Sequence, residues 1–348
     1  MSDIEKRLDE LREEARKRGS VEGPGTRAVG GPMPAAGPGY YGRPIVKPPV
    51  WTWEIPLYFF TGGMAGMAAT IALAAHVAGP LEPSLVRPAL WLAFLGGAVV
   101  SPALLVLDLG RPLRFLHMLR VFKWRSPMSV GAWILFLFGG AVTAALVLTE
   151  WAARPGSPSS VDTLRTVPMA VAGLLGPALA TYTGVLIGAT VVPAWFVHHR
   201  GLPLHFGVAG LGSAAALLEL LGFRAPSLHA IGLGTALVET LFGAWIELRR
   251  HGAVDRALRD GGPGLLLRGS GLLAGPTALA LRLVGAVPAA GIAFLAGALI
   301  SRFGWVAAGR ASAADPEATL AVQGHEATRL PVAGTLQPAH QDNRSETG

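Results

Sequence analysis

Asp108-Leu-Gly-Arg-Pro-Leu-Arg-Phe-Leu-His117 runs on through Arg120, Lys123 and Arg125 to Ser126-Pro-Met-Ser-Val-Gly-Ala-Trp133, between two apolar runs, Val86–Leu107 and Met128–Glu150. Each run is long enough to cross a hydrocarbon core about 30 Å thick, which takes about 20 residues as a helix. An acid and a row of cations where two such spans meet are costly in or beside a membrane and are usually put to use.

Further runs of spanning length lie on either side. The sequence predicts helices near Pro56–Ala78, Val86–Leu107, Met128–Glu150, Val167–Trp195, Leu204–Leu221 and Ser227–Leu248. Two weaker ones follow at Leu265–Val287 and Pro288–Gly309, with a tight turn at Val287-Pro288. Gly275-Pro276 and Arg282 interrupt the seventh. The expected fold is therefore an all-α integral membrane protein, a bundle of about eight transmembrane helices with both termini on the same side.

Residues 1–50 form a charged arm and a Gly/Pro-rich linker, residues 51–310 the membrane domain, and residues 311–348 a polar tail expected to be disordered. The arm lacks the apolar core of a secretory signal. Within it, Ile4, Leu8, Leu11 and Ala15 share one helical face, suited either to solvent as a frayed arm or to docking on a partner.

Composition agrees with a membrane protein. Hydrophobic residues make up 51% of the chain and charged residues 15%, with most charge in the termini and a few loops. The net charge of +7 does not point to nucleic acid, because the cations sit beside apolar spans, where they orient helices and meet anionic lipid or partners. The chain has no cysteine, so it cannot hold an iron–sulfur cluster by thiolate ligation, and any such wire belongs to another subunit.

Lysine and arginine are asymmetric. Arg111, Arg114, Arg120, Lys123 and Arg125 in one loop, and Arg249, Arg250, Arg256, Arg259 and Arg268 in another, share a side with the termini. The opposite loops offer Arg87, Arg154, Arg165 and Arg224. The positive-inside rule places the termini in the cytoplasm, with the protein multi-pass in the inner (cytoplasmic) membrane.

Candidate chemistry collects on that side. Glu54 and Tyr58 lie at the start of the first span, and Asp108, Arg111 and Arg114 at the end of the second, with His117 beyond. Tyr182 is some 15 residues into the returning fourth span, roughly 22 Å along it at 1.5 Å per residue. Tyrosine hydroxyls donate to carbonyls and a nearby acid relays protons, which is what a quinone headgroup needs; the Gly-rich run Thr61–Met67 would form an apolar wall for its tail.

Each residue also has a plainer role. Asp108 and Arg111 suit an ion pair at a helix end capped by Gly110 and stopped by Pro112. The tyrosines suit an interfacial belt, as do Trp51, Trp53, Trp124 and Trp195. Arg114, His117, Arg120 and Lys123 have the spacing of a surface helix. Deeper lie His76, Glu219, Glu239, Arg282 and Arg302; Glu239 with Arg282, or Glu219 with Arg302, are expected as ion pairs, or as parts of a proton path.

The run Asp-Leu-Gly-Arg-Pro-x-Arg-Phe from Asp108, then Arg125-Ser-Pro-Met-Ser and Gly131-x-Trp, resembles the loop between the second and third helices of the NrfD/polysulfide-reductase membrane-subunit family. Trp53-Glu-Ile-Pro-Leu-Tyr58-Phe-Phe-x-Gly-Gly-x-Ala-Gly66 resembles that family's first helix, and Tyr182-Thr-Gly-Val-Leu with Pro193-x-Trp195 its fourth.

The resemblance implies a quinone-binding anchor that exchanges electrons between a partner iron–sulfur subunit, itself joined to a catalytic molybdopterin subunit, and menaquinone or ubiquinone, with coupled proton transfer. It implies the headgroup ligand at Tyr182. A first-helix partner, often His in the family, falls on Tyr58. It is strongest over Trp53–Trp195; from Leu204 on it rests on helix count.

Two other classes are weaker. A b-type cytochrome anchor needs mid-span histidine pairs, which the sequence does not offer clearly. A non-redox transporter often shows repeated halves with broken helices; Gly176-Pro177 and Gly275-Pro276 are such breaks, but no matching repeat is evident.

Overall fold

The computed structural model describes residues 45–79, 83–109, 117, 119–249 and 251–327. Eight helices in it are long and apolar enough to cross a membrane: α1 Glu54–Ala78, α2 Ser84–Asp108, α3 Pro127–Ala152, α4 Ser159–Gly188, α5 Gly201–Leu220, α6 Pro226–Leu248, α7 Gly261–Leu283 and α8 Val287–Ala314. No strand occurs among the described residues. The protein is an all-α membrane bundle, as expected.

Local sequence sets the helix ends. Ser126 caps α3, its hydroxyl accepting from the Ser129 amide, with Pro127 in the first turn, where its missing N–H costs nothing. The turns after α1, α3, α5 and α7 each contain a glycine with positive φ: Gly79 (62°), Gly156 (80°), Gly222 (97°) and Gly285 (79°). Only glycine takes that conformation without strain, so the chain reverses tightly at one end of the bundle. The turn between α7 and α8 is therefore built around Gly285, a little before the expected Val287-Pro288.

The opposite end is knitted by aromatic contacts between sequence-distant segments. Trp51 stacks on Trp195 at 5.3 Å between ring centroids. Trp195 donates its indole N–H to the Trp305 carbonyl at 2.7 Å, and the Ala194 amide donates to the Ser312 hydroxyl at 3.2 Å. The start of α1, the α4–α5 connection and the end of α8 thus lie together.

Helices α1–α4 form one four-helix group and α5–α8 another, joined where α5 packs on α1 and α4 and where α8 reaches α1. Small residues set the spacing, as is common where lipid supplies no hydrophobic drive between helices. A Cβ added to Gly66 on α1 would lie 2.5 Å from the Gly176 carbonyl oxygen on α4, and one on Gly176 2.2 Å from that of Gly66. Only hydrogen at both positions permits this crossing.

Several expectations change in detail. The fourth span starts at Ser159 and stops at Gly188; Pro193–Val197 is a separate short helix opened by Pro193. Gly275-Pro276 does interrupt the seventh span, as expected: Gly275, at φ −90° and ψ −106°, leaves the helical region within Leu273–Thr277 and kinks the span, which resumes as Ala278–Leu283. A π segment, Phe94–Val100, lies in α2.

The chain also stays helical beyond residue 310. α8 runs to Ala314, and a further helix, Pro316–Ala327, follows. Its start is held by Asp315, whose carboxylate accepts from the Glu317 and Ala318 amides, and by Arg256, which pairs with Asp315 (3.0 Å) and Glu317 (2.6 Å). Ala313 and Ala318 are buried against the bundle. Burial on one face thus orders a segment whose composition alone reads as tail. The proposed helical face in residues 1–18, and the rest of the tail from residue 328, lie outside the described residues.

Candidate functional site

The first turn of α1 places Glu54 inside the protein, 4% exposed, where the Thr52 hydroxyl donates to its carboxylate. One turn further, Tyr58 is buried at 1% exposure. From α4, Tyr182 meets it hydroxyl to hydroxyl in a hydrogen bond. The two residues are 124 positions apart, and the Gly66–Gly176 crossing of α1 and α4 brings them together.

The packing around the pair is set by small residues. Gly131, on the first turns of α3, lies beneath the Tyr182 ring; a Cβ there would sit 2.0 Å from the ring's Cε2. This gives a structural reason for the glycine in the Ser126-Pro-Met-Ser-Val-Gly131 run, which sequence reasoning had not assigned. Across from Tyr58, the Thr61 hydroxyl lies 3.3 Å from that of Ser101, which donates at 2.6 Å to the Gly96 carbonyl in the π segment of α2. That contact ties the irregular turn to the tyrosine side of α1.

Two hydroxyls bonded to each other still hold one proton to spare, because each is both a donor and an acceptor. The pair therefore offers a hydrogen bond to a third group while each ring stays oriented. Asp108 is half-buried at the end of α2, seven residues or roughly 10 Å beyond Ser101 toward the end where α1 begins. His117 is exposed. Arg111 and Arg114, the other expected ligands, lie outside the described residues. Of the expected surface helix, His117 is helical and residues 113–116 and 118 lie outside the described residues, while from residue 119 to 126 the chain is turn and extended. Ser129 explains this: its hydroxyl accepts from the Lys123 amide at 3.0 Å and bonds the Val121 carbonyl at 3.4 Å, taking groups a helix would have used. Arg120, Lys123, Phe122 and Trp124 are all exposed there.

The second four-helix group holds its own buried polar groups, paired differently from expectation. Arg282 makes a two-pronged ion pair with Glu219 at 2.9 and 2.6 Å, its guanidinium lying in the slot left by Gly232. Glu239 instead meets His205, whose Nδ1 is 3.1 and 2.9 Å from the two carboxylate oxygens. Arg302 donates to the Phe206 carbonyl at 3.1 Å and lies over the Phe206 ring at 3.8 Å. Height decides the partners: Glu219 and Arg282 both sit near the far ends of parallel spans, whereas Glu239 lies well inside α6.

Just outside the spans, His198 is buried against Trp245, His251 and Trp305, with its Nδ1 3.0 Å from the Ala194 carbonyl. Burial pushes its pKa down to about 4. Among the described residues, no group of three or more His, Asp or Glu could hold a metal.

Eight spans in two four-helix groups, with a buried tyrosine pair bridging two of them, define a polytopic α-helical membrane protein with a polar site inside one end. The family model of polysulphide reductase NrfD matches residues 45–238, more than half of the chain, and the chain belongs to that family of membrane subunits of multi-subunit oxidoreductases. The match covers Glu54, Tyr58, Asp108, Gly131 and Tyr182. A search of curated proteins finds no match to the chain.

Proposed function

We propose that the tyrosine pair is the headgroup site of a membrane quinone and that the protein is the quinone-reactive anchor of its complex. The observation that carries this reading is the hydroxyl-to-hydroxyl bond between Tyr58 and Tyr182, inside the end of a family membrane subunit. A quinone is the lipid-soluble substrate whose ring carbonyls such donors would hold, and its redox chemistry is its own.

The residues divide the work simply. Tyr182 donates to a ring carbonyl, Tyr58 holds Tyr182 in orientation and Gly131 leaves room for the ring. Glu54, one turn from Tyr58 toward the end of the bundle, and Asp108 at the end of α2 are placed to pass protons between that surface and the tyrosines. The exposed Arg120, Lys123 and Arg125, with Phe122 and Trp124, form a mixed cationic and aromatic footing for an iron–sulfur partner subunit. The lysine and arginine asymmetry supports the cytoplasmic face for this end.

The test is direct binding of decylubiquinone to the protein in lipid nanodiscs. Tyr182→Phe removes one donor and should weaken binding about tenfold, the size of one hydrogen bond to an otherwise unpaired buried acceptor. Tyr58→Phe should weaken it less, acting through Tyr182. Unchanged affinity in both variants would refute the assignment.

A further inference from the structure

The two halves of the bundle open with the same short phrase. Pro56-Leu57-Tyr58-Phe59 begins α1, and Pro203-Leu204-His205-Phe206 begins α5. In each, the third residue is the fifth of its helix and is buried, facing a polar partner from another helix: Tyr182 for Tyr58, Glu239 for His205. The halves thus repeat a feature that their overall sequences do not display.

Beside His205 is a cavity of about 430 Å³ between α6, α7 and α8. That volume falls in the range of small-molecule sites, about 300–1,000 Å³. Phe242, Gly271 and Trp305 supply apolar walls; His205, Glu239 and Ser301 supply the polar groups. Phe242 stacks flat on the His205 ring at 4.6 Å and 7°, fixing its plane. Leu272 and Arg268, also on the lining, are exposed, so the cavity reaches the outer surface of the bundle.

One atom there is unexplained. His205 is 6% exposed and its Nδ1 faces Glu239, yet its Nε2 is buried without a hydrogen-bond partner. A buried imidazole nitrogen left unpaired is destabilising, so a ligand that pairs it is favoured.

We propose that this cavity is a second binding site for a quinone-class ring, seated on His205 Nε2 with its tail leaving between α6 and α7. The ligand class rests on the reading of the tyrosine pair; the site itself rests on the cavity and the orphaned nitrogen. With Nδ1–H donating to Glu239, neutral His205 accepts at Nε2 from a ring hydroxyl; with a second proton it donates to a ring carbonyl. The His205–Glu239 pair therefore accommodates either redox form. The walls suit the ring, because Phe242, Ile246, Leu267 and Trp305 make the lining around the polar groups apolar.

The experiment counts decylubiquinone bound to the full chain by native mass spectrometry from nanodiscs, with a photoreactive quinone to map contacts. Gly271→Trp blocks the cavity: a Cβ at Gly271 meets nothing within 4 Å, so the fold tolerates the start of the side chain. His205→Leu removes the nitrogen. The expected result is two quinones per wild-type chain and one in Gly271→Trp or His205→Leu, with cross-links to α6 and α7 lost. Tyr182→Phe should retain these cross-links.

If Tyr182→Phe has no effect while Gly271→Trp abolishes binding, the tyrosine reading fails and this site stands. A single wild-type quinone that Tyr182→Phe removes and Gly271→Trp does not would overturn the second site. So would a co-purifying phospholipid that Gly271→Trp displaces while quinone binding is unchanged.

Discussion

Substituting Gly131 by alanine tests the tyrosine site without touching a tyrosine. The new methyl would stand 2.0 Å from Tyr182 Cε2, 2.6 Å from Cδ2 and 2.7 Å from Cζ. Carbon atoms rest at about 3.5–4.0 Å, so the ring must retreat by roughly 1.5 Å. A shift of that size displaces the hydroxyl from the position at which it meets Tyr58, and such bonds weaken steeply as distance and angle depart from the optimum. Overpacking costs about 1–3 kcal/mol, and the lost bond about 1 kcal/mol more.

Alanine is the better helix former by about 1 kcal/mol, which offsets only part of this. Gly140→Ala on the same helix is the matched control, because its methyl meets nothing within 4 Å. Thermal unfolding in detergent and decylubiquinone affinity in nanodiscs are the assays. Gly131→Ala should melt below wild type and bind about tenfold more weakly or worse, in step with the lost Tyr182 contact. Gly140→Ala should melt at or slightly above wild type and bind normally. If the two variants behave alike, the geometric argument for Gly131 is wrong.

Three further outcomes are expected. His198 has its pKa pushed from about 6.5 to about 4 by burial, so the unfolded chain takes up the proton first as pH falls. The stability associated with neutral His198 is fully present above about pH 6.5 and is lost toward pH 4, amounting to about 2 kcal/mol by pH 5. Melting curves between pH 7 and 5 should flatten in His198→Gln; an unchanged slope would remove His198 as the cause. Arg282→Met leaves the Glu219 carboxylate buried without its partner and should destabilise by about 3–5 kcal/mol, whereas the double variant with Glu219→Leu should recover most of that. A double variant no better than the single would mean the guanidinium matters for filling the Gly232 slot and not for charge. Ala318→Asp buries a charge under the Pro316–Ala327 helix and should free that helix to proteolysis while the spans stay folded; a protected helix would show that its packing is not what orders it.

The membrane class, the span count and the helix ends were written locally. Apolar runs of spanning length, Ser126-Pro127 at the start of α3 and the turn glycines act within a few residues, so the one-dimensional order carries them. The Asp108–Trp133 run and the two tyrosine motifs carried the family as well. What the chain order could not carry was height and facing.

Glu219 takes Arg282 because both lie near the same ends of the parallel α5 and α7, where a slot at Gly232 admits one guanidinium, and Glu239 takes His205 across the antiparallel α5 and α6. The Gly66–Gly176 crossing sets how closely α1 and α4 approach, and with it whether Tyr58 and Tyr182 touch; no spacing along the chain encodes that distance. The cavity beside His205 is lined from four spans at once, and the helix after Asp315 is ordered by a face it buries on the bundle. Contacts between segments a hundred residues apart depend on packing, and packing exists only once the helices have assembled.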